Sequence, residues 1–292
     1  MKYLVIGASG QVGRELKRFL GEEAIGTGHK RATGDLVPLD LADTEAVGKL
    51  IREIRPECIF VPGGVTAVDW CETHEAEARR ICVDGTVAVR EAADAIGAHA
   101  IFFSTDYVFS GKSGPYGEKD PPDPISVYGR IKTEAERAAG DQFAILRTSM
   151  VYSDDPESRN FHNYVRDTLR AGGEVKAFSD QAGSPTYATS LAVVVVAMRQ
   201  KWKGIHHVGG PEVMTRLEFA RRVARAYKLD DSRIRAVTSE EMHLPAPRPK
   251  RGGLRSTRGA ILRTASLAEA LADMLGKQGG GRNFGISPGG AL

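Results

Sequence analysis

The sequence has few of the features that mark secreted, membrane or metal-binding proteins. Its 292 residues contain three cysteines, Cys58, Cys71 and Cys82, without a Cys-x-x-Cys pair, which argues against a disulfide framework and a structural zinc site. The histidine spacings match no ligand motif either, so we expect no metal. No apolar run approaches a membrane span, and "MKYLVIGASG" reaches glycine after four apolar residues, too early for a signal peptide. We therefore expect a cytoplasmic protein.

An excess of charge of one sign is also missing. The chain has 40 Lys and Arg against 37 Asp and Glu, a formal net charge of +3, which gives little support to binding of nucleic acid or a membrane surface. What it has is a globular composition, with 41% hydrophobic and 26% charged residues. That length and composition suit one large domain, or a core with a smaller lobe.

The first ordered signal is a buried strand followed by glycines. "YLVI" (3–6) is typical of a buried parallel strand, and "GASGQVG" follows it before the helical pattern "RELKRFL". Glycine at Gly7, Gly10 and Gly13 allows a sharp turn that brings a helix N-terminus up to a diphosphate. A lone glycine triplet is often an ordinary turn. Its place between a first strand and a first helix favours a dinucleotide-binding unit.

The second predicted strand is followed by cations. Where an NAD-preferring site carries an acid for the ribose 2′-hydroxyl, "AIGTGHKRATGD" (24–35) has His29, Lys30 and Arg31. Such a cluster suits the 2′-phosphate of NADP, and the alternative is a solvated basic loop. A third predicted strand, "LVPLDL" (36–41), places Asp40 at its end. Its carboxylate could accept a hydrogen bond from the adenine amino group, or it is a turn aspartate.

Strands and helices continue to alternate. We predict a helix over 44–54, a strand within "ECIFVPGGVTAV" (57–68), a long helix over 75–97 and a fifth strand within "HAIFFSTDYVFSG" (99–111). Gly63 and Gly64 would let the cofactor pass over the fourth strand. This order predicts an α/β fold, a Rossmann-like doubly wound parallel sheet, whose ligands lie at the carboxyl ends of the strands.

A tyrosine and a lysine share a helix face in "SVYGRIKTEAE" (126–136). Tyr128 and Lys132 lie four residues apart, beyond a strand that ends in Ser104 and Thr105. These are the parts needed to reduce a carbonyl: Tyr128 protonates the oxygen, a hydroxyl at the end of the strand holds it, and Lys132 acts on the tyrosine and bonds the nicotinamide ribose. We expect the ammonium to lower the phenol pKa from near 10 to about 7. Tyr-x-x-x-Lys alone is frequent by chance, so the combination with the glycine turn carries the interpretation.

These motifs and several others resemble one family. The sequence resembles an extended short-chain dehydrogenase/reductase and, more narrowly, the dTDP-4-dehydrorhamnose reductase family, whose related branch is the regulatory β subunit of methionine adenosyltransferase. The resemblance runs from residue 1 to residue 265 or so. Its markers are "GASGQVG", "TAVDWCE" (66–72), "STDYVFSG" (104–111), "YGRIKTEAE" (128–136), "ILRTSMVY" (145–152), "DQAGSPTY" (180–187) and the "PRP" around Arg248.

The resemblance and the patterns above assign roles to individual residues. The catalytic set is Thr105, Tyr128 and Lys132. The expected substrate-binding residues are Thr105, Asp106, Tyr107, Met150 and Arg248. The expected cofactor-binding residues are Gly7, Gly10, Gln11, Val12, Gly13, His29, Lys30, Arg31, Asp40, Leu41, Gly63, Gly64, Val65, Ser104, Tyr128 and Lys132.

Several positions depart from the family pattern. Pro62-Gly63-Gly64 replaces an Asn-Ala-Ala stretch, Asp84 stands where asparagine is common, and Met150 stands where tryptophan is usual. The segment "RPKRGGLR" (248–255) replaces small polar and acidic positions. Six of the sixteen residues 248–263 are basic and none is acidic, which suits either a nucleotide diphosphate or a solvated surface.

The resemblance also implies a discontinuous substrate lobe. We assign 1–152 and 184–208 to an NADP-binding Rossmann domain, 153–183 and 209–276 to the substrate-binding lobe, and 277–292 to a flexible glycine-rich tail. The predicted function is NADPH-dependent reduction of the 4-keto group of a nucleoside-diphosphate deoxy-sugar, with NADH as an open alternative. The predicted partner is that nucleotide sugar, not nucleic acid or membrane, and a homodimer stays open. The alternatives are a sugar-nucleotide epimerase or dehydratase and a non-catalytic NADP-binding regulatory subunit.

Overall fold

A computed structural model describes residues 2–30, 32–199, 203–257 and 263–278 of the chain. The strands in these ranges are β1 (Tyr3–Ile6), β2 (Ala24–Gly28), β3 (Val37–Pro38), β4 (Cys58–Val61), β5 (His99–Thr105), β6 (Ala144–Thr148), β7 (Val151–Tyr152), β8 (Val175–Phe178), β9 (Ala182–Gly183), β10 (Thr186–Tyr187), β11 (Gly204–His207), β12 (Met214–Thr215) and β13 (Ile234–Val237). The helices are α1 (Gln11–Leu20), α2 (Thr44–Ile54), α3 (Val68–Thr73), α4 (Glu75–Arg79), α5 (Gly85–Ile96), α6 (Val127–Ala139), α7 (Phe161–Arg170), α8 (Ala188–Met198), α9 (Arg216–Ala226) and α10 (Leu267–Gln278).

The central element is a parallel sheet. Within the described ranges it has seven strands, in the order β11-β6-β5-β4-β1-β2-β3, and every pair is parallel. β1, β4 and β6 are buried along their whole length, as expected where helices cover both faces of a sheet. The order reverses beside β1, so the loops that follow β1, β4 and β5 meet at one edge. The predicted fold class is confirmed.

Apolar clusters attach the helices to the two faces of the sheet. Val47 of α2 and Val89 of α5 pack with Leu4 and Ile59 on one face. Leu16 of α1 and residues of α8 pack with β1 and β4 on the other. The sheet is therefore buried on both sides, and its carboxyl edge is left for a ligand.

Two elements differ from the sequence prediction. The third strand is only Val37–Pro38, because it lies at the sheet edge, pairs with β2 at two positions, and contains a proline that has no N–H to donate. The long helix over 75–97 is divided, since α4 and α5 are joined by a π-helical segment, Arg80–Asp84. Such a segment admits an extra residue into a helix, often near a functional site.

A separate apolar cluster forms beyond the sheet. It joins Val165 of α7, Val175 of β8, Phe219 of α9 and Leu271 of α10. Its parallel pair β8–β13 lies outside the central sheet. The assignment of these segments to a substrate lobe stays a prediction. α10 includes Lys277, which we had placed in the tail, whereas 279–292 lie outside the described residues.

In the described ranges, no helix combines the length and the apolar character that a membrane span needs.

Candidate active site

The glycine turn after β1 packs directly on the loop after β4. Gly7 has φ +94°, and a Cβ added there would lie 2.6 Å from the Cα of Gly63. A Cβ on Gly13 would lie 2.2 Å from the Gly7 carbonyl oxygen. Larger residues at these positions would separate α1 from the sheet, so the glycines are required by close backbone packing.

The N-terminus of α1 is open to an anion. The helix begins at Gln11 after Gly10, and no described side chain caps it. Gln11 points instead towards β7, where its Nε2 donates to the Val151 carbonyl at 3.1 Å and its Oε1 accepts from Ser153 Oγ at 3.2 Å. Backbone N–H groups at an uncapped helix N-terminus suit a diphosphate, so this turn fits a dinucleotide.

Two of the residues predicted to bind the adenosine part of the cofactor, His29 and Asp40, lie close together. His29 Nε2 lies 3.7 Å from Asp40 Oδ2, while Asp40 Oδ1 accepts from the Ala42 N–H at 2.9 Å. Asp40 is therefore a turn aspartate that still presents one oxygen. Lys30 is exposed, and Arg31 lies outside the described residues. Leu41 and Val12 pack in the apolar clusters of the sheet.

Sequence reasoning missed a groove beside the glycine turn. It has a volume of about 790 Å³ and is lined by Ser9, Arg14, Lys17 and Thr33 among others. Arg14 Nη2 lies 2.5 Å from Asp155 Oδ2, so α1 is tied to the segment that follows β7. Three of the four named residues lie in α1 or within two residues before it, where the sequence predicts only Gly10, Gln11, Val12 and Gly13 to bind the cofactor.

The predicted proton donor and oxygen-holding group lie together. β5 ends at Thr105, and α6 begins after Ser126, whose hydroxyl accepts from the Gly129 N–H at 3.2 Å. This cap places Tyr128 in the first turn of α6, where its phenol interacts with the side chain of Thr105. Thr105 Oγ1 also accepts from the Tyr107 N–H at 3.2 Å. Thr105 and Tyr128 therefore lie in one part of the molecule, and their catalytic roles stay a prediction.

The expected lowering of the phenol pKa is wrong for this structure. Burial of Tyr128 raises the pKa, and the contact with Thr105 offsets only part of that rise. Lys132 Nζ donates to the Phe103 carbonyl oxygen at 2.7 Å. The ammonium therefore lies against the end of β5. A phenol with a raised pKa is protonated at neutral pH, which is the form that a proton donor needs.

Asp106 and Tyr107, the two residues that follow Thr105, both contact other residues of the protein. Asp106 is buried, its Oδ2 accepts from Ser149 Oγ at 2.5 Å and from the Gly253 N–H at 3.3 Å, and burial raises its pKa. The Tyr107 ring meets the Tyr128 ring edge to face, with centroids 5.7 Å apart. Asp106 thus joins β5 to the 248–255 segment, and Tyr107 lies directly beside the proposed proton donor.

The other two predicted substrate-binding residues differ in how they are held: Met150 packs against Gly183, and Arg248 forms an ion pair. Met150 has φ +44°, and a Cβ on Gly183 would lie 2.8 Å from its sulfur. The Arg248 guanidinium forms a bidentate ion pair with Asp69, at 2.6 Å to Oδ1 and 2.7 Å to Oδ2. Arg248 is therefore fixed on α3 near Tyr107, with which it also interacts.

The structure brings in several polar residues that sequence reasoning missed. Ser104 Oγ donates to Glu136 Oε1 at 2.5 Å, and Glu136 forms a buried ion pair with Arg147. The sequence signal for this buried ion pair was Arg147, a charged residue within the mainly apolar run "AILRT". Asp69 and Ser149 gave no comparable signal, because their partners are distant in the chain. Among the described residues, no group of three or more His, Cys, Asp and Glu side chains is arranged to hold a metal ion.

The fold and this site define a class of protein before any relative is considered. The parallel sheet, the glycine turn at α1 and the Tyr-Lys helix behind β5 are those of an extended short-chain dehydrogenase/reductase. The chain belongs to the family described as RmlD substrate binding domain, which it matches over residues 1–278.

Individual relatives agree with this membership. The chain is 34% identical over 272 residues to dTDP-4-dehydrorhamnose reductase of Sinorhizobium fredii, covering 85% of this chain and 87% of that protein. It is 29% identical over 271 residues to methionine adenosyltransferase 2 subunit beta of Bos taurus, covering 88% and 81%. The crystal structure of dTDP-4-dehydrorhamnose reductase from Bacillus anthracis in complex with NADP has a TM-score of 0.84 and 27% identity, covering 95% of this chain and 100% of that one. The predictions of the family and of an NAD(P)-dependent oxidoreductase are confirmed.

Proposed function

We propose that this protein reduces the 4-keto group of a nucleoside-diphosphate deoxy-sugar with NADPH. The observation that carries the proposal is the position of the buried Tyr128 phenol, which packs on the Tyr107 ring and interacts with Thr105 at the carboxyl end of β5. A hydroxyl and a protonated phenol that lie next to each other can both donate hydrogen bonds to a single oxygen atom, and the phenol can protonate it. The reductase relative supplies the substrate class.

The proton reaches the sugar from Tyr128. Its raised pKa keeps the phenol protonated before reaction, and its burial excludes water that would compete for the proton. Thr105 Oγ1 accepts from the Tyr107 N–H at 3.2 Å and donates only a long hydrogen bond, of 3.5 Å, to Asp106 Oδ1, which a bond to the substrate oxygen would replace. A negative charge that develops on that oxygen is therefore stabilised by two donors while the proton moves.

The glycine turn and β5 hold the cofactor. When bound, the reduced nicotinamide supplies the hydride. The N–H groups at the start of α1 bind the diphosphate, and Lys132 bonds the nicotinamide ribose from its place on the Phe103 carbonyl. His29, Lys30 and Arg31 bind the 2′-phosphate, which favours NADPH over NADH.

Arg248 is the proposed ligand of the substrate diphosphate. It lies close to Tyr107 and on the same side of the site as Tyr128. Asp69 fixes its position, and an anion can bind guanidinium N–H groups that this pair leaves available. Met150 lies on the sugar side, where a flexible thioether accommodates the ring.

The test is NADPH oxidation, followed by absorbance, with a dTDP-4-keto-6-deoxy-sugar generated in the cuvette and NADH in parallel. The proposal expects steady oxidation with NADPH favoured, and the NADH ratio tests the 29–31 cluster. NADPH binding without oxidation contradicts the proposal. It would favour the second candidate, a cofactor-binding regulatory subunit, which the similarity to the Bos taurus relative supports.

A further inference from the structure

The catalytic helix α6 shares a buried ion pair with the neighbouring strand β6. Arg147 Nε lies 2.9 Å from Glu136 Oε1 and Nη2 lies 2.6 Å from Oε2, and the two side chains are 1% and 6% exposed. Glu136 Oε1 also accepts from Ser104 Oγ at 2.5 Å. A carboxylate this deeply buried needs such donors as charge and hydrogen-bond partners.

The guanidinium of Arg147 is itself held in place from its other side. Nδ1 of His207 faces the carbonyl oxygens of Tyr116 at 3.0 Å and Arg255 at 3.2 Å, which can only accept. Nδ1 therefore carries the hydrogen, and Nε2 accepts from Arg147 Nη1 at 3.4 Å. Arg147 also lies over the Phe109 ring, 5.0 Å from its centroid. The cation is thus positioned by groups outside α6.

Glu136 is within reach of a second cation. Lys132 precedes it by one turn of α6, a spacing at which an ammonium and a carboxylate pair on a helix. Both side chains line the same small cavity of about 20 Å³, together with Ser104 and Gly63. Lys132 Nζ nevertheless donates to the Phe103 carbonyl at 2.7 Å. The ammonium therefore has two alternative partners, the Phe103 carbonyl and the Glu136 carboxylate, and Arg147 already occupies the carboxylate.

We propose that Arg147 is a positioning residue for the catalytic Lys132. By occupying both oxygens of Glu136, it prevents this carboxylate from drawing the ammonium away from the end of β5, where Thr105 lies. Arg147→Met leaves a buried charge on Glu136 whose nearest available cation is Lys132. The catalytic consequence rests on the proposed function, whereas the placement of Lys132 is a property of the chain alone.

Matched variants separate this role from a merely structural ion pair. Arg147→Met and Glu136→Gln each leave a buried charge without its partner, so both should lower the melting temperature. Only Arg147→Met releases Glu136, so its kcat per folded molecule should fall on the order of 10²-fold, the scale of a misplaced catalytic group. Glu136→Gln should stay within about threefold of the parent, and the double variant should recover to the same level.

The pH profile supplies a further readout. If Lys132 acts on Tyr128 during the reaction, as the proposed function has it, its capture by Glu136 removes that effect, so the pH dependence of kcat should shift in Arg147→Met and return in the double variant. A purely structural pair predicts equal losses of kcat in the two single variants and no shift. Either result overturns the inference. If Arg147→Met fails to fold, Arg147→Lys leaves one Glu136 oxygen open, and parental kcat in that variant also overturns it.

A crystal structure of Arg147→Met decides the placement without any assay. The inference expects Lys132 Nζ in contact with the Glu136 carboxylate, and an ammonium still bonded to Phe103 contradicts it. If the parent protein oxidises no NADPH, the proposed function fails, while this crystal structure still decides the position of Lys132.

Discussion

Arg248 and Asp69 form a bidentate ion pair that joins the 248–255 segment to helix α3. Both guanidinium contacts are short, at 2.6 and 2.7 Å, and Asp69 Oδ1 also accepts from the Ala246 N–H at 3.0 Å. The contact with Arg248 holds the pKa of Asp69 below its usual range. The C-terminal segment is therefore fixed to the Rossmann part of the chain beside the proposed sugar site.

Asp69→Asn should weaken substrate binding because it removes the charge that fixes Arg248. We expect the KM for the nucleotide sugar to rise about tenfold, the equivalent of roughly 1.4 kcal/mol, with kcat and the NADPH Kd unchanged. Asp231→Asn breaks an exposed pair with Arg225 of 3.0 Å and is the matched control. An equal rise in KM in both variants would rule out a specific role for the Asp69–Arg248 pair.

Tyr128→Phe should separate chemistry from cofactor binding. The ring remains to pack beside Tyr107, but the proton donor is removed, so kcat should fall about 10²-fold or more while the NADPH Kd stays within about twofold. Steady-state kinetics and fluorescence titration measure the two quantities. A parallel loss of NADPH affinity would contradict the assigned role.

Gly7→Ala should cost far more stability than a comparable glycine substitution. Gly7 and Gly97 both have positive φ, +94° and +70°, but only the Gly7 Cβ meets backbone, since nothing lies within 4 Å of a Cβ on Gly97. We expect a loss of about 3 kcal/mol or more for Gly7→Ala and about 1–2 kcal/mol for Gly97→Ala. Urea unfolding measures both, and equal losses would disprove the proposed crowding against Gly63.

Acid should destabilise the protein through buried histidines. Burial lowers the pKa of His162, His207 and His99, so each neutral ring contributes stability above the unfolded pKa of about 6.5. That contribution is lost as the pH falls below this value, because the unfolded chain then takes up protons first. Nε2 of His162 is buried without a hydrogen-bond partner, so this ring has no acceptor ready for a second proton.

His162→Phe should therefore reduce the loss of melting temperature between pH 7.5 and pH 5.5. The aromatic neighbours Tyr152 and Tyr227 accept a phenyl ring in place of the imidazole. His74→Gln is the control, since that ring is exposed, and it should keep the parental acid dependence. An unchanged acid loss in His162→Phe would refute this assignment.

The sequence predicted what is local. The glycine turn, the first, second and fourth apolar strands and the Tyr128–Lys132 face each follow from spacing within one or two elements, and the structure has them where they were expected. Long-range partners could not be read in the same way. The pairing of Arg248 with Asp69 joins positions 179 residues apart, and the raised pKa of Tyr128 depends on burial by several segments.

Neighbouring segments explain the other two differences, which concern β3 and the long helix. A two-residue β3 results from an edge position and a proline, and the π-helical segment before α5 breaks a helix whose sequence pattern is continuous. Position within the sheet and a local change of hydrogen-bond register both depend on neighbours that a periodicity does not contain.

The measurement that tests the central claim most directly is the transfer of label from NADPH deuterated at nicotinamide C4 to the sugar product. Mass spectrometry of the nucleotide sugar should show one deuterium at C4 of the sugar in stoichiometry with NADPH consumed, and about a hundredth of that amount or less with Tyr128→Phe over the same time. Product formed without label from added NADPH would contradict the account and indicate a tightly held cofactor that is reduced and reoxidised in place.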